Sequence, residues 1–514
     1  MFELNFHSGK KKITYGNLSV VIRFLVDDNY LKKNFTNLEK IYNLNLSDLQ
    51  RDNFLSKEIN QLRVSTLTGK PDEIIIKKIK VDEKFDADYF RNYFSETIQK
   101  IKTEKLNSIH LFVPNFTDFK KYYEDELYLI QTIIEGIYLG NYSFDKYKSE
   151  KSSYKKIEVF LYSENEEAVK KTIQRTSALM NAVYFARDLQ NEPSNELTPE
   201  VFTKLVRSEA IKRNIKVTIF DEKEIERRKM FGLLSVGKGS INKPRFMILE
   251  YKPQVKKNKK FKLNKIALVG KGMTFDSGGI SLKPSKSMGE MKNDMAGAAV
   301  VAASLLAAAD NKIPVNLFGI IPLAENMPSG SAFKPGDVIK TSSGKTIEIE
   351  DTDAEGRVIL SDALDYASKL KPDQIIDFAT LTGSCVVALG EFVAGLFSNS
   401  DELANHIYQS GLKTYERVWR LPIWEDYFKL IESEIADVKN LGNRWAGAIT
   451  AAKFLEKFVD KKIKWAHLDI AGPSIHHNFR SYTSKYMTAF GVRLVYDYLN
   501  RITKWLLNLC HTFN

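Results

Sequence analysis

Two carboxylates and an arginine alternate with other residues in the segment from Asp351 to Leu360. In an extended segment Asp353, Glu355 and Arg357 would project from one face, because strand side chains alternate between the two faces. Neighbouring carboxylates repel each other unless a positive charge lies between them, and a guanidinium suits an external anion equally well. The pattern therefore indicates either an oxygen-ligand metal site with an anion site beside it or the solvated face of an edge strand.

Two further carboxylates follow strand-like runs in the same half of the chain. Asp276 lies in the glycine-rich turn Val269–Gly279, which lacks the glycine spacing of phosphate and dinucleotide loops. Asp294 opens an alanine-rich helix, where an aspartate alone is typical of a helix cap. Together with Asp353 and Glu355 they make four carboxylates in loops after strands or at a helix start, which favours the metal site.

The donor types limit which metal such a site would hold. The seven histidines show no zinc-binding spacing. Hard oxygen ligands favour Mn²⁺, Mg²⁺ or carboxylate-bound Zn²⁺. Four acids can hold two divalent ions about 3.5–4 Å apart, as in two-metal hydrolases.

From Thr198 onward the sequence alternates apolar strand-like runs with amphipathic or apolar helices, a pattern of α/β proteins. The predicted strands are Lys216–Phe220, Lys265–Val269, Val315–Ile321, Gln374–Ala379 and Trp465–Ile470. The predicted helices are Pro199–Lys212, Asp294–Ala309, Ser361–Leu370 and Thr450–Val459. Several strands are apolar throughout, as expected for a sheet covered on both faces, and the candidate site residues follow their carboxyl ends.

The first part of the chain has its own α/β pattern without recognisable chemistry. Strands are predicted at Ser19–Val26 and Ser108–Val113, and helices at Glu124–Tyr138 and Ala168–Leu189. We therefore expect a smaller N-terminal α/β domain over residues 1–165, whose function is open although a role in assembly fits. A connector helix and linker over 166–195 would join it to a larger α/β domain over 196–514.

Composition excludes several classes of protein. Residues 151–270 carry 26 basic and 14 acidic side chains, which accounts for the whole net charge of +12. Much of this excess lies in Lys256–Lys265, predicted as a solvated hairpin tip; a lysine-rich run without arginine makes a nucleic-acid partner unlikely. Apolar runs such as Val300–Ala308 are far shorter than the roughly 20 residues that cross a bilayer, so no membrane association is expected. The two cysteines, Cys385 and Cys510, fit a reducing cytoplasm.

An ordered series of segments resembles the leucyl (cytosol) aminopeptidase family, and the similarity runs through most of residues 185–495. The segments are Val269–Ser287, Met291–Ala299, Ala324–Asp337, Asp351–Arg357, Ala379–Gly390, Ala446–Phe454 and Trp465–Gly472. The resemblance implies that residues 196–514 form a metallo-aminopeptidase catalytic domain with a mixed central sheet.

The resemblance also implies the roles of the site residues. Lys271 would bind a metal through its neutral amine, Asp276 and Glu355 would bridge two ions, Asp294 would bind one ion and Asp353 the other. Lys283 would stabilise the negative oxygen of the tetrahedral intermediate, and Arg357 would hold a bicarbonate ion as general base. The residues expected to line the substrate pocket are Met291, Thr380, Gly383 and Ala471.

The resemblance thus implies an aminopeptidase that removes leucine-like N-terminal residues through a metal-activated water. It also implies a homohexamer, and a cytoplasmic location is expected. A narrower dipeptidase of the cysteinylglycine type and a DNA-binding regulator are the alternatives. Two departures from the family pattern concern the site: Asp351 replaces a usual asparagine, and Ser474 lies near a pocket position that can be apolar. Both departures bear on the site and its leucine preference. Two minor departures are Ala489 for a usual glycine and Val358 for a usual leucine.

Overall fold

The computed structural model describes residues 1–9, 13, 15–16, 18–56, 58–66, 70–104, 106–150, 156–254 and 263–511. The chain divides into two compact units, Met1–Met180 with Arg480–Tyr482 and Asn181–Phe479 with Thr483–Asn514. Within the described residues, no helix is both long and apolar enough to cross a membrane.

The first unit is built on a six-stranded sheet with helices. Its elements are β1 (Glu3–Ser8), β2 (Ser19–Val26), α1 (Leu31–Tyr42), α2 (Asp48–Leu55), β3 (Gln61–Ser65), β4 (Glu73–Ile79), α3 (Tyr89–Ile101), β5 (Ser108–Phe112), α4 (Glu126–Asn141), β6 (Lys156–Tyr162) and α5 (Glu166–Asn191). The strand order is β1-β6-β5-β2-β4-β3, with every pair parallel except β3 with β4.

Local sequence explains the main elements of this unit. The first four residues of β2 are fully buried, as expected for a strand inside a parallel sheet. The carboxylate of Asp125 accepts a hydrogen bond from the Tyr128 amide and so caps α4. The predicted connector helix forms as α5, and the division between the two units falls within it, after Met180.

The second unit contains the larger sheet. Its elements are α6 (Pro199–Ile211), β7 (Lys216–Phe220), α7 (Glu222–Arg227), α8 (Phe231–Gly237), β8 (Arg245–Tyr251), β9 (Lys265–Gly270), β10 (Gly272–Asp276), α9 (Ala296–Asp310), β11 (Asn316–Asn326), β12 (Val338–Lys340), β13 (Thr346–Glu348), α10 (Glu355–Lys369), β14 (Gln374–Ala379), α11 (Gly383–Leu389), β15 (Ala394–Ser398), α12 (Asp401–Thr414), β16 (Val418–Arg420), β17 (Val438–Lys439), α13 (Gly447–Glu456), β18 (Lys464–Asp469) and α14 (Val492–His511).

The nine-stranded sheet is mixed, as predicted. Its order is β16-β15-β18-β14-β9-β11-β8-β7, and β10 also pairs with β11. The four central strands β18, β14, β9 and β11 are mutually parallel, whereas β15, β8 and β7 each run antiparallel to an inner neighbour. The carboxyl ends of the central strands therefore lie at one edge of the sheet.

The alanine-rich helix α9 packs unusually close to this sheet. Residues 296–308 are all buried. Their mostly small side chains let the helix pack against β9, β11 and β14 of the sheet. At Gly297 a Cβ atom would lie 2.0 Å from the carbonyl oxygen of Phe378, so this helix start accepts only glycine without a shift of the backbone.

The predicted hairpin between β8 and β9 is wrong. Both strands pair with β11, β8 antiparallel on one side and β9 parallel on the other. β11 therefore lies between β8 and β9 in the sheet, and these two strands do not pair with each other. An apolar strand pattern does not reveal which strand lies between two others. Most of the lysine-rich run Lys256–Lys265 lies outside the described residues.

A second, three-stranded sheet lies beside the site-bearing loops. β13 pairs antiparallel with β12 and parallel with β17, in the register Ile347 with Val438 and Glu348 with Lys439. The carboxylate of Asp437 holds this pairing by accepting hydrogen bonds from the amide and hydroxyl of Thr346. The chain segments that follow β13 and β17 consequently lie next to each other.

Candidate metal centre and active site

The site residues follow four strands of the second unit at a single edge of the sheet. Lys271 follows β9, Asp276 ends β10, Thr380 follows β14 and Ala471 comes two residues after β18. Loops at the carboxyl ends of parallel strands are the usual location of sites in open α/β sheets. The sequence prediction that these loops converge is correct.

Lys271 is held rigidly between the sheet and α9. Its amide donates to the carbonyl of Phe378 at 3.0 Å, and its carbonyl accepts from the amide of Ala298 at 2.8 Å. The buried ammonium lies 2.7 Å from Asp294 Oδ2 and 2.9 Å from Glu355 Oε1. Burial by itself would lower the pKa of Lys271, but the surrounding carboxylates outweigh it, so the pKa is raised and the amine is charged.

Gly356 makes room for the Lys271 side chain. It is the second residue of α10, and a Cβ atom there would lie 2.4 Å from Lys271 Cε and 2.7 Å from Nζ. The sequence analysis missed this residue. The available signal is a glycine in the first turn of a helix, which is unfavourable unless something must approach closely.

Asp294 and Glu355 are buried carboxylates, and burial disfavours their charged forms. Burial, aided by the charge of Asp276, raises the pKa of Glu355 to about 8 against the effect of Lys271. Burial likewise raises the pKa of Asp294 to about 6. Within the described part of the chain, the buried Glu355 Oε2 accepts no hydrogen bond. Such an oxygen can bind a cation.

A second lysine lies between the remaining carboxylates. Lys283 Nζ is 2.9 Å from Asp276 Oδ2 and also pairs with Asp353 Oδ1. Burial would lower the pKa of Lys283, but the charges of Asp276 and Glu355 raise it overall. Asp276, Asp353 and Glu355 each offer one oxygen such that all three lie within 4.8 Å of one another, which could hold a metal ion.

The predicted extended geometry of residues 351–357 is wrong. Asp353 lies in a turn, and Glu355 begins α10. The side chains of Glu355 and Arg357 therefore project from a helix rather than from one face of a strand. The three side chains nevertheless line the same cavity. Charge alternation over five residues fits either geometry, and the turn is fixed by the Asp351 carboxylate, which accepts from the Asp353 amide at 2.8 Å.

Arg357 is buried beside this cluster, with 4% of its surface exposed. One terminal nitrogen, Nη1, donates to the carbonyl of Asn440 at 2.7 Å. Burial lowers the pKa of Arg357 to about 10. Its Nε has no hydrogen-bond partner among the residues the structure describes, which fits an anion at this position.

A cavity of about 450 Å³ brings together every residue predicted for the site. The eleven are Lys271, Asp276, Lys283, Met291, Asp294, Asp353, Glu355, Arg357, Thr380, Gly383 and Ala471. The Thr380 hydroxyl donates to Asp294 Oδ1 at 2.7 Å, and its carbonyl accepts from Lys271 Nζ at 2.9 Å. Thr380 thus contacts the candidate metal ligands as well as the cavity.

Part of the cavity wall is polar in a way the sequence analysis did not predict. Asn293 Nδ2 donates to Ser474 Oγ at 3.1 Å, and both residues line the cavity near Met291 and Ala471. Asn293 Oδ1 is buried and, among the described residues, accepts no hydrogen bond. Further lining residues that sequence reasoning missed are Leu381, Thr382, Val386, Leu441 and Ile475.

Buried polar residues from distant segments support the ligands. Asn326 Nδ2 donates to Asp276 Oδ1 at 2.8 Å and to the carbonyl of Thr352 at 3.0 Å. The carboxylate of Asp469 accepts from the Leu381 amide at 3.1 Å and the Thr382 hydroxyl at 2.6 Å. The one sequence signal for both is a polar residue at the end of an apolar strand, since their partners lie far away along the chain.

Comparisons with known proteins show which family the chain resembles. Residues 184–496 match the model of the cytosol aminopeptidase family, catalytic domain, and residues 24–151 match that of the family's N-terminal domain. A probable cytosol aminopeptidase from Chloroherpeton thalassium is 45% identical over 436 residues, covering 82% of this chain and 84% of the relative. Another from Sulfurihydrogenibium sp. is 40% identical over 502 residues, covering 96% and 97%.

A solved structure shares the fold over nearly the whole length. The bottromycin maturation enzyme BotP in complex with Mn superposes with a TM-score of 0.80 at 30% identity, covering 95% of this chain and 100% of that one. The similarity therefore includes both units of the chain.

Proposed function

We propose that this chain, which belongs to the cytosol aminopeptidase family, removes leucine-like N-terminal residues from peptides by a two-metal mechanism. Family membership makes it a hydrolase of the aminopeptidase class that acts on peptides. The observation that carries the finer proposal is the cluster of Asp276, Asp353 and Glu355 oxygens within 4.8 Å of one another, in a cavity that also contains Lys271 and Lys283.

The donor set fits two divalent ions. Hard carboxylate oxygens from Asp276, Asp294, Asp353 and Glu355 suit Mn²⁺ or carboxylate-bound Zn²⁺, and Mg²⁺ is also compatible. The buried oxygen Oε2 of Glu355, which accepts no hydrogen bond from the described residues, supports this assignment. When bound, the ions would supply a nucleophilic water at neutral pH and polarise the scissile carbonyl.

Lys271 would join these ligands only after losing its proton. The charged amine is now stabilised by Asp294 and Glu355. A divalent cation against the same carboxylates reverses the local electrostatics and favours the neutral amine. Binding of metal should therefore release a proton from this site.

The two remaining cations would act on the substrate side of the cavity. Lys283 stays charged and is available to donate to the oxygen that becomes negative in the transition state. Arg357 would hold bicarbonate, which would supply a general base. The pocket for the N-terminal side chain of the substrate would be lined by Thr380, Gly383, Met291 and Ala471.

Hydrolysis of leucine p-nitroanilide tests the proposal. We expect activity in the presence of Mn²⁺, loss of activity after chelation and recovery when Mn²⁺ is added back. Lys283→Ala should lower kcat/KM by roughly 10²–10³-fold, as for loss of a transition-state donor. Asp353→Ala should also lower kcat/KM strongly, because it removes a proposed metal ligand. Lys334→Ala is the matched control, because Lys334 also pairs with an aspartate but is exposed and outside the cavity.

Two results would contradict the proposal: activity that survives a strong chelator, or full activity in either site variant. A panel of N-terminal residues that includes cysteinylglycine separates a general aminopeptidase from a narrow dipeptidase. Hydrolysis of cysteinylglycine alone would favour the dipeptidase.

A cytoplasmic homohexamer is the assembly we infer from family membership. Sedimentation velocity should give a particle of six times the 58.8 kDa mass of one chain. A monomer at micromolar concentration would refute the hexamer without bearing on the chemistry.

A further inference from the structure

Asn440 is a buried residue outside the cavity that contacts the metal-site loop on both sides of Asp353. It follows β17 directly and is fully buried. Since β17 lies parallel to β13, the segment that ends at Asn440 runs beside the segment that leads into the 350–354 loop. The Asn440 amide donates to the carbonyl of Glu348 at 2.9 Å, which continues this pairing.

Among the described residues, the hydrogen bonds of the Asn440 side chain all go to main-chain groups of the loop. Its Oδ1 accepts from the amides of Glu350 at 2.8 Å and Asp351 at 3.3 Å. Its Nδ2 donates to the carbonyls of Asp351 at 2.6 Å and Ala354 at 3.4 Å. One amide group therefore bridges the start and the end of the turn that carries Asp353.

The main chain of Asn440 also contacts the arginine of the site. Its carbonyl accepts from Arg357 Nη1 at 2.7 Å. A single buried residue thus fixes the turn before α10 and the guanidinium in the first turn of α10.

The opposite side of the same turn is fixed by the β10 loop. The Thr352 hydroxyl donates to the carbonyl of Gly278 at 2.6 Å, and the Thr352 amide donates to Ser281 Oγ at 3.2 Å. Without Asn440 the turn would keep these contacts but lose those on its other side. The position of Asp353 relative to Glu355 would then be less defined.

We propose that Asn440 is a positioning residue that sets the placement of Asp353 and Arg357 for metal binding and catalysis. This inference rests on the proposed function for its catalytic part. Removal of the amide leaves main-chain groups of residues 350–354 without their buried partners, which favours movement of the turn. Groups that orient metal ligands typically contribute about 10–100-fold to metal affinity or activity.

The control is Asn399, which makes the same kind of amide bridge away from the site, although Asn399 is exposed whereas Asn440 is buried. Its Oδ1 accepts from the Trp465 amide at 2.8 Å, and its Nδ2 donates to the carbonyl of Ile463 at 3.0 Å. These contacts lie at the start of β18, whereas the site lies at the carboxyl end of that strand. Asn399→Ala should therefore report only the structural cost of losing such a bridge.

The experiment compares Asn440→Ala, Asn440→Asp and Asn399→Ala with the wild-type chain. Calorimetric titration of metal-free protein with Mn²⁺ measures affinity, and leucine p-nitroanilide kinetics give kcat and KM separately. We expect both Asn440 variants to bind Mn²⁺ about 10–100-fold more weakly and to lose more in kcat than in KM. Asn399→Ala should lower Tm while leaving Mn²⁺ affinity and kcat within twofold.

Wild-type Mn²⁺ affinity and kcat in an Asn440 variant with lowered Tm would overturn the inference, because the role would then be structural only. If Asn440→Ala fails to fold, Asn440→Asp decides, since it retains the acceptor for the Glu350 and Asp351 amides. A wild-type chain that binds Mn²⁺ but hydrolyses no aminoacyl anilide would refute the proposed function, and the titration would still test the positioning role.

Discussion

At the scale of single residues, the site is a balance between buried carboxylates and two lysines. The charges of Lys271 and Lys283 offset only part of the negative charge of the four carboxylates, which are Asp276, Asp294, Asp353 and Glu355. The excess of acidic groups over lysines favours the binding of divalent ions there. Next to this cluster, the hydrogen-bonded pair of Asn293 and Ser474 lines the cavity and bears on which substrates fit.

Asn293→Leu should shift specificity towards apolar N-terminal residues. The buried Oδ1 of Asn293 accepts no hydrogen bond from the described residues. An apolar substrate side chain cannot donate to this oxygen, whereas a side chain with a hydroxyl or amide group can. An unsatisfied buried acceptor costs about 1–3 kcal/mol. The ratio of kcat/KM for valine over threonine p-nitroanilide, two substrates of similar shape, should therefore rise in the variant.

Asn311→Leu, at the end of α9 and outside the cavity, should leave this ratio unchanged. An unchanged ratio in Asn293→Leu would mean that this residue does not contact the substrate side chain.

At the scale of elements, helix α10 and the loops around it bring the ligands together. Its first residue is Glu355, its second is the glycine against Lys271, and its third is Arg357. The three-stranded sheet places Asn440 against the turn that precedes this helix. The segments that follow β9, β10 and β17 thus contact the start of the helix. These three segments lie far from the start of the helix along the chain.

Gly356→Ala should disable the site through the approach of α10 to Lys271. The added Cβ would lie 2.4 Å from Lys271 Cε, so the lysine or the helix must shift. A misplacement of about 1 Å can cost on the order of 10²-fold in rate. We expect kcat/KM for leucine p-nitroanilide to fall by at least tenfold and Mn²⁺ affinity to weaken.

Gly330→Ala is the matched control, because a Cβ there meets no atom within 4 Å. Wild-type Mn²⁺ affinity and kcat/KM in Gly356→Ala would show that the lysine accommodates the methyl group.

At the scale of the whole molecule, each of the two units has a hydrophobic core of its own, and the first unit also contains a buried histidine. In the first unit His110 is buried on β5, stacks on Phe160 at 4.8 Å and lies 2.8 Å from the Tyr162 hydroxyl through Nδ1. Burial lowers the pKa of His110 to about 4, so the imidazole is neutral in the folded protein.

This histidine should make the first unit sensitive to acid. An unfolded histidine has a pKa of about 6.5, so the unfolded chain binds more protons between pH 6.5 and 4. The stabilising effect of the neutral ring is present above pH 6.5 and is lost as the pH falls towards 4, by up to about 3 kcal/mol. Urea unfolding of the full chain at pH 7 and pH 4.5, followed by circular dichroism, measures this loss.

His110→Gln should flatten the pH dependence, whereas His476→Gln, at an exposed position in the second unit, should not. Equal acid sensitivity in His110→Gln and the wild type would assign the loss to other groups.

Residue types and their order determined much of this protein by themselves. The alternation of apolar strands with helices predicted an α/β fold, and the positions of Asp276, Asp294, Asp353 and Glu355 after strands or at helix starts predicted the cluster. This succeeded because strand periodicity is local and parallel strands bring their carboxyl ends to one edge. The domain boundaries at 165 and 195 and the individual catalytic roles stay predictions.

Only the tertiary structure decided the conformation of residues 351–357 and the partners that hold them. The alternation of charge suited a strand, but the turn and helix form because Asn440, Ser281 and Asp351 satisfy main-chain groups of the turn. The crossing of β11 between β8 and β9, the clearance at Gly356 and the polar pair of Asn293 with Ser474 were likewise hidden. Each depends on contacts between segments distant along the chain, and no local pattern of residues encodes such contacts.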